Sequence, residues 1–470
     1  MTTTAAIKKS VLIIFLVLCG CQTLQLQTTA VREDEGTVFF YLQPFSPEAE
    51  RLRFSLSAFA ALKDDGTEIP VPLSLSEFNS TDMTRQRLIA TARLPEGKYS
   101  GFLVSTKSAA LTTKGGAAAL LVPETPQKMA FPFSVEKRKA FIISLTLLYP
   151  QSLQGNVNFN PAFTAAIPVR PLVEVTGYAS NAGVDAITVF DKIHLQATSA
   201  IATGHEPQGI ALDQSLKRAY VALTGDDAVE LFDMNSEILL AKTMLMRGDE
   251  PQELALTPDG LSLLVTNSRS NTVSIIDTVA MVEVSRIPVG RNPGTLVIDK
   301  TGTRAFVFNR NSDNISVINI PYRQVMGTIA TGPEPLQGQF NRAGDRLYVI
   351  HASYPYLFVI DPMSFSVVLR QFVGMGTVSL KIDTRTDQLY ISKKNDIMVT
   401  VYDPLTFVPV GSIPTGGTVS YMTIDGETNF LYLLIPERKA MMVVNLASKR
   451  LVSEIDVSER PAWMTMMGER

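Results

Sequence analysis

Cysteine and histidine are nearly absent from this chain of 470 residues. The two cysteines, Cys19 and Cys21, lie close together near the start, and His194, His205 and His351 are the only imidazoles. With both thiols in one terminal segment, the body of the chain has no disulfide and no thiol chemistry, and its stability must come from core burial. No spaced histidine pair and no metal-binding or haem-attaching cysteine pair is present, so neither a metal nor a cofactor is expected. Tryptophan is limited to Trp463 and aromatics make up 8% of residues, which weighs against a sugar-stacking surface. The formal net charge is −3, so no basic field draws nucleic acid. Helical periodicity is missing from the body of the chain and no glycine-rich phosphate loop precedes a helix. Nothing marks one serine out as the nucleophile of a Ser-His-Asp set.

What the chain has instead is repetition. An aspartate or asparagine closes a hydrophobic run at Asp191, Asp233, Asp277, Asn319, Asp361, Asp403 and Asn445, at intervals of 42, 44, 42, 42, 42 and 42. Apolar residues stand two and four positions before each, as Val273 and Ile275 stand before Asp277. That is a strand with one buried face, seven times over. Thirteen to fifteen residues after each closing residue comes Gly204, Gly248, Gly290, Gly332, Gly374, Gly416 or Ser458, and three further on Pro207, Pro251, Pro293, Pro335, Thr377, Val419 or Pro461. Glycine and proline at fixed offsets mark a recurring tight loop.

A period near forty with four short strands per unit indicates propeller blades or a solenoid. In the clearest unit the strands are a (253–257), b (262–266), c (272–277) and d (282–289). The array opens near Leu172 in what reads as strand b and ends with a lone strand a from Pro461 to Met467. A terminal strand that completes the first blade closes the ring and removes both exposed edges. The expected fold is all-β: a seven-bladed β-propeller closed by a C-terminal strand, preceded by a small β-sandwich.

In chain order, residues 1–21 read as an export signal, with Lys8 and Lys9 before an apolar run too short to span a bilayer. Residues 22–36 are polar and aperiodic, a tether. Eight strand-like runs in 37–153, beginning at Thr37, Arg53, Ile69, Arg87, Tyr99, Ala117, Met129 and Ala140, suggest the sandwich. Residues 154–171, with Pro161, Pro168 and Pro171, read as a linker, and 172–470 as the propeller.

Three stretches carry resemblances. Leu18-Cys19-Gly20-Cys21 resembles the bacterial lipoprotein signal, which implies acylation of Cys21, the cysteine that follows a small residue. Gln22 is not the aspartate that holds such proteins at the inner membrane of enteric bacteria, so the resemblance implies an outer-membrane lipid anchor, on either side of that membrane. Leu94-Pro-Glu-Gly-Lys-Tyr99 resembles the turn-and-strand motif of transthyretin-like and carboxypeptidase-regulatory-like sandwiches. Leu264-Val-Thr-Asn267, Phe306-Val-Phe-Asn309 and Tyr348-Val-Ile-His351, with Asn271-Thr-Val-Ser-Ile-Ile-Asp-Thr278, resemble the YVTN family of β-propellers over about 300 residues. That likeness implies an exported protein with a binding or scaffold role. Asn319 and Asn445 in place of aspartate, and the missing prolines at 377 and 419, depart from the pattern and put the regularity of two blades in question.

The loops before strand a and those between strands b and c share one propeller face. On it, the residue before each loop proline or its equivalent is Glu206, Glu250, Asn292, Glu334, Gly376, Thr418 or Arg460. Three carboxylates on one arc, with Asp249 beside them, suit a basic partner segment or a cation, or else simply solvate the loops. His351, Tyr354 and Tyr356, on the one aromatic b–c loop, offer either an interaction patch or filling between blades. The expected function is a lipid-anchored cell-envelope binding or scaffold protein that presents this face to another envelope protein, without catalysis. Two alternatives remain: a propeller hydrolase of the lactonase or lyase kind using His205, Glu206 and Arg460, and a binder of glycan or surface polymer. A deep polar pocket holding a perturbed titratable group would favour the enzyme, and a broad shallow face the scaffold.

Overall fold

Residues 34–114, 116–155 and 157–469 are described by the computed structural model. The leader, the lipidation candidate Cys21 and the tether up to Glu33 lie outside the described residues. The end of the expected tether is already structured: Glu35 and Gly36 begin the strand Glu35–Leu42.

Seven four-stranded antiparallel sheets form the propeller. In six of them the strands follow chain order from the innermost to the outermost. The exception is the first, in which Thr176–Asn181, Ala186–Asp191 and Gln196–Ala202 are joined by Pro461–Met466 as the innermost strand. The inner strands of blades two to seven are Pro207–Asp213, Pro251–Leu256, Pro293–Ile298, Pro335–Phe340, Thr377–Ile382 and Tyr421–Ile424. Each touches the next, and Pro461–Met466 touches both Tyr421–Ile424 and Pro207–Asp213, so the ring is closed by strand pairing and leaves no inner edge. Blades six and seven are complete despite the missing prolines, although the inner strand of blade seven begins only at Tyr421.

The closing acids and amides act as turn caps. Oδ1 of Asp403 accepts from the amides of Leu405 and Thr406 at 3.0 and 2.8 Å, and Asn445 does the same for Ala447 and Ser448. Asparagine therefore replaces aspartate without loss of the motif. These bonds hold the Asp233, Asp361 and Asp403 carboxyls below their usual range.

The N-terminal domain is two sheets. One runs Phe163–Ala166, Ala140–Leu147, Glu35–Leu42, Arg87–Pro95, with Glu35–Leu42 parallel to Ala140–Leu147; the other is built on Leu52–Lys63 and Gly97–Thr113. Phe40 of the first sheet meets Phe59 and Phe102 of the second edge-on, at 5.0 and 5.3 Å between ring centroids, in the shared core. The expected linker is partly structure: Phe163–Ala166 pairs with Ala140–Leu147, and Leu153–Gln154 pairs with Asn158–Phe159. Proline content suggested a spacer there, but Pro161 sits outside both strands and Phe163–Ala166 is an edge strand, so no proline interrupts a ladder.

Glu35–Leu42 buries both of its faces. Val38, Phe40 and Leu42 enter the domain core, while Phe39 and Tyr41 pack with Leu88 and Ile142 against Ala186, Ala197 and Ala200 of blade one. Around this contact Arg85 and Arg87 reach Asp456, and Arg85 also pairs with Glu454 at 3.0 Å. The amide of Gln86 both donates to the Ala197 carbonyl and accepts from the Ala197 N–H. The outer strand Gln196–Ala202 is accordingly buried, whereas its counterpart Ile238–Met244 in blade two is mostly exposed.

Candidate functional site

The rim of the propeller is set by backbone conformation. Glu206, Glu250, Asn292, Glu334 and Arg460 all hold φ between 50° and 53°, and Gly376 holds 75°. Left-handed backbone at a non-glycine residue needs outside support. A side chain from the b–c turn of the preceding blade supplies it in four places: Asp185, Asp227, Asn271 and Asp313 accept from the amides of Glu206, Glu250, Asn292 and Glu334 at 2.8 to 3.1 Å. The acids that looked like a binding set are thus carried on rigid loops.

Their side chains are mostly engaged with the protein. Arg460 donates to Glu206 at 3.0 Å, which joins the first and last loops of the ring, and Arg269 donates to Glu250 at 2.8 Å. Glu334 accepts from the Ser353 hydroxyl. Asp249 is buried, accepting from Arg286 at 2.8 Å and from the Met246 amide, so it holds the loop together and is not presented. His205 leans on Asp185 at 3.2 Å, and Arg93 of the N-terminal domain binds the same carboxylate at 2.9 Å. The arc does not converge on a cation: among the described residues no three His, Cys, Asp or Glu side chains are placed to hold one.

Of the two readings open for the aromatic loop, packing within the blade is the one its burial favours. His351 is fully buried at the end of strand Leu347–His351, with its ring 4.7 Å from that of Phe358, and Tyr354 and Tyr356 are half-buried against each other and against Phe358 and Phe372. They fill a blade and do not form a free patch. Burial pushes the His351 imidazole down from 6.5 to about 4, so the ring is neutral and Nδ1–H donates to the Tyr356 carbonyl at 3.0 Å.

Inside the rim, a cavity of about 180 Å³ occupies the channel, lined by residues one and two positions past the loop prolines and their equivalents. Glu253, Thr295, Gln337, Tyr421 and Trp463 hold the same register position in five of the seven inner strands, and none was singled out as a site residue from sequence. Oε2 of Glu253 accepts from the Leu296 amide at 3.2 Å, and Oε1 of Gln337 accepts from the Leu380 amide at 2.9 Å, each bridging to the next blade. Enclosure by the ring raises the Glu253 carboxyl to about 8, with opposing contributions from the Leu296 hydrogen bond and the Arg310 charge. Water within the channel still reaches part of Glu253. The rings of Tyr421 and Trp463 lie 4.1 Å apart.

Arg310 enters the same cavity from the b–c loop of blade four. At its repeat position the other blades carry Ala182, Thr224, Ser268, Ala352, Lys394 and Pro436. Its side chain crosses the backbone of Gly294, where a Cβ would lie 2.6 Å from Nε. Aligning the repeats by their landmarks would have exposed both, an arginine at a position that is small in four of the other six blades and a glutamate on an inner strand.

Toward the other end of the inner strands, Glu469 ties three of them together. Glu469 accepts from the hydroxyls of Thr465, at 2.7 Å, and Thr423, and pairs with Lys381 at 3.4 Å; all three donors stand on inner strands.

Comparison with known proteins agrees on the fold. A family model described as YNCE-like beta-propeller matches residues 173–339. No curated protein matches the sequence at a significant level. Among solved structures, a functionally unknown protein from Desulfotomaculum acetoxidans DSM 771 is 12% identical with a TM-score of 0.56, over 62% of this chain and 98% of that one. A chain of Kuenenia stuttgartiensis hydrazine synthase is 17% identical with a TM-score of 0.51, over 55% and 88%. Dihydro-heme d1 dehydrogenase NirN in complex with DHE is 13% identical with a TM-score of 0.51, over 64% and 78%. At these identities the likeness carries the fold alone, and on fold the strand topology and the family match agree: the chain is a β-propeller, similar over residues 173–339 to the YNCE-like propellers.

Proposed function

We propose that the protein is a lipid-anchored binding protein of the cell envelope, related to the YVTN propellers, whose rim of loops before the inner strands meets an envelope partner. Acylated Cys21 is the anchor in this reading, the outer membrane the location, and the N-terminal domain a sandwich of the transthyretin-like kind that seats the propeller. The observation that carries the reading is the difference between the two ends of the channel: Glu469 ties three inner strands together at one, while the other opens inside loops held by side-chain hydrogen bonds, four of which carry Glu206, Glu250, Glu334 and Arg460. Rigid loops with half-exposed charge favour specific docking, since little side-chain entropy is lost on contact. The hydrolase alternative draws on His205, Glu206 and Arg460, yet Glu206 and Arg460 pair with each other and His205 with Asp185. The perturbed Glu253 speaks for a pocket, but that pocket is narrow and fits ligand binding as well as chemistry.

Crosslinking in intact cells followed by affinity purification tests this, comparing wild type with the combined variant Glu206→Ala, Glu250→Ala, Glu334→Ala. A defined envelope protein captured by wild type and lost from the variant supports the rim; equal capture by both rejects it. Cys21→Ala is expected to move the protein from the membrane to the soluble fraction, and a variant that stays membrane-bound would rule out the anchor.

A further inference from the structure

We propose that the channel cavity is a binding site for a small organic acid, whose carboxylate pairs with Arg310 and whose flat apolar body lies against Tyr421 and Trp463. This goes beyond the rim reading and uses none of the rim side chains.

Arg310 is the reason. Its guanidinium makes no hydrogen bond or ion pair with any described residue, and its Nε is buried without a partner. Only the more distant charges of Glu253 and Glu334 reach it, and desolvation draws its basicity down. Arg310 is half-buried, with Nε enclosed and unpartnered; leaving such a cation unpaired is unfavourable, and a planar guanidinium is completed by a planar, bidentate anion. The backbone has made room for it, because only a glycine at 294 lets the side chain cross the inner strand. Glu253, held largely as the neutral acid at pH 7, does not neutralise the site and can donate a hydrogen bond to a second carboxylate oxygen. Arg310 is the one basic side chain of the lining, which favours an anion. The tilted pair of Tyr421 and Trp463 supplies the apolar wall, and Gln208, Gln252, Thr295, Gln337 and Ser420 the remaining polar lining. A volume of about 180 Å³ admits a small acid and not a polymer.

Calorimetric titration of the purified protein with acetate, benzoate and phenylacetate, and with benzamide as the uncharged counterpart of benzoate, tests the proposal. At least one of the aromatic acids is expected to bind, with benzamide at least tenfold weaker than benzoate. Arg310→Met is expected to lower acid affinity at least tenfold and leave benzamide unchanged. Gly294→Ala, which displaces the guanidinium, should do the same. If Arg310→Met fails to fold by circular dichroism, Arg310→Lys keeps the charge and loses the fork, and a drop in benzoate affinity is still expected. No binding by any of the acids, equal binding of benzoate and benzamide, or benzoate affinity untouched in a folded Arg310 variant would each overturn the proposal.

Discussion

His351 holds the position that Asn181, Asn267 and Asn309 hold in other blades, at the end of strand b beneath the b–c turn. Each of those asparagines donates across the turn, Asn309 to Asn314 and Ser316, for example, and His351 makes the equivalent bond to Tyr356. The sequence match of Tyr348-Val-Ile-His351 to the repeat motif already placed it there; what left two readings open was the aromatic character of the loop, which looks the same whether rings face solvent or a blade. Its low pKa has a thermodynamic sign. The folded ring binds a proton near 4 and the unfolded ring near 6.5, so its contribution is fully present above 6.5 and is lost as pH falls toward 4. That difference amounts to about 3 kcal/mol. His351→Asn should fold and should flatten the fall in stability between pH 6.5 and 4, read by chemical denaturation; an unchanged slope would put the imidazole elsewhere. Glu253 acts with the opposite sign. Its folded pKa near 8 lies above the unfolded value near 4.5, so its contribution is present below 4.5 and is lost as pH rises through 8. Glu253→Gln, which mimics the neutral acid, should lose less stability than wild type between pH 5 and 8, and a steeper loss would contradict the assignment.

At the scale of the element, the strand Pro461–Met466 does most to define the fold. It buries Met464, Met466 and Met467 and brings the Met467 carbonyl to Lys192, whose ammonium is fully buried and lies 3.1 Å from the equally buried Asp425. The closing strand was legible in the sequence from phase alone, because the array began in strand b and ended in strand a. Lys192 was not, since it follows Asp191 in a turn where lysine ordinarily reaches solvent. Deleting 461–470 should cost about 6 kcal/mol or more from the lost apolar burial, and lower the thermal midpoint by about 6–10 °C. Lys192→Met leaves Asp425 buried without its cation and should cost about 3–5 kcal/mol. Thermal melts decide both: a truncated chain with an unshifted midpoint would mean that the ring closes without its strand.

At the scale of the whole molecule, the N-terminal domain and the propeller form one compact unit. The run Val38-Phe-Phe-Tyr-Leu42 carried the signal, being apolar at successive positions where a solvent-facing sheet would alternate. The partners of that face, Ala186, Ala197 and Ala200, are too small to mark a surface by composition, and nothing in the run from Arg85 to Arg87, where a strand begins, distinguishes it from other polar strand starts. Replacing both Arg85 and Arg87 by Ala leaves Asp456 without its cations and should weaken docking by about 3 kcal/mol, turning a single calorimetric transition into two. One unaltered transition would mean that the apolar contact suffices. The channel site was hidden from the sequence for a related reason: it is assembled from one residue in each of several blades, and only the ring brings Glu253, Arg310, Tyr421 and Trp463 together.

On the proposed function, the rim face and not its opposite meets the partner. A photoactivatable residue placed at exposed Arg291 on the rim, and separately at exposed Asp345 in the turn on the other face, compares the two directly in living cells. A discrete protein adduct from position 291 with none from 345 is the predicted result. An adduct from 345 alone would contradict the account and move the binding surface to the other end of the channel.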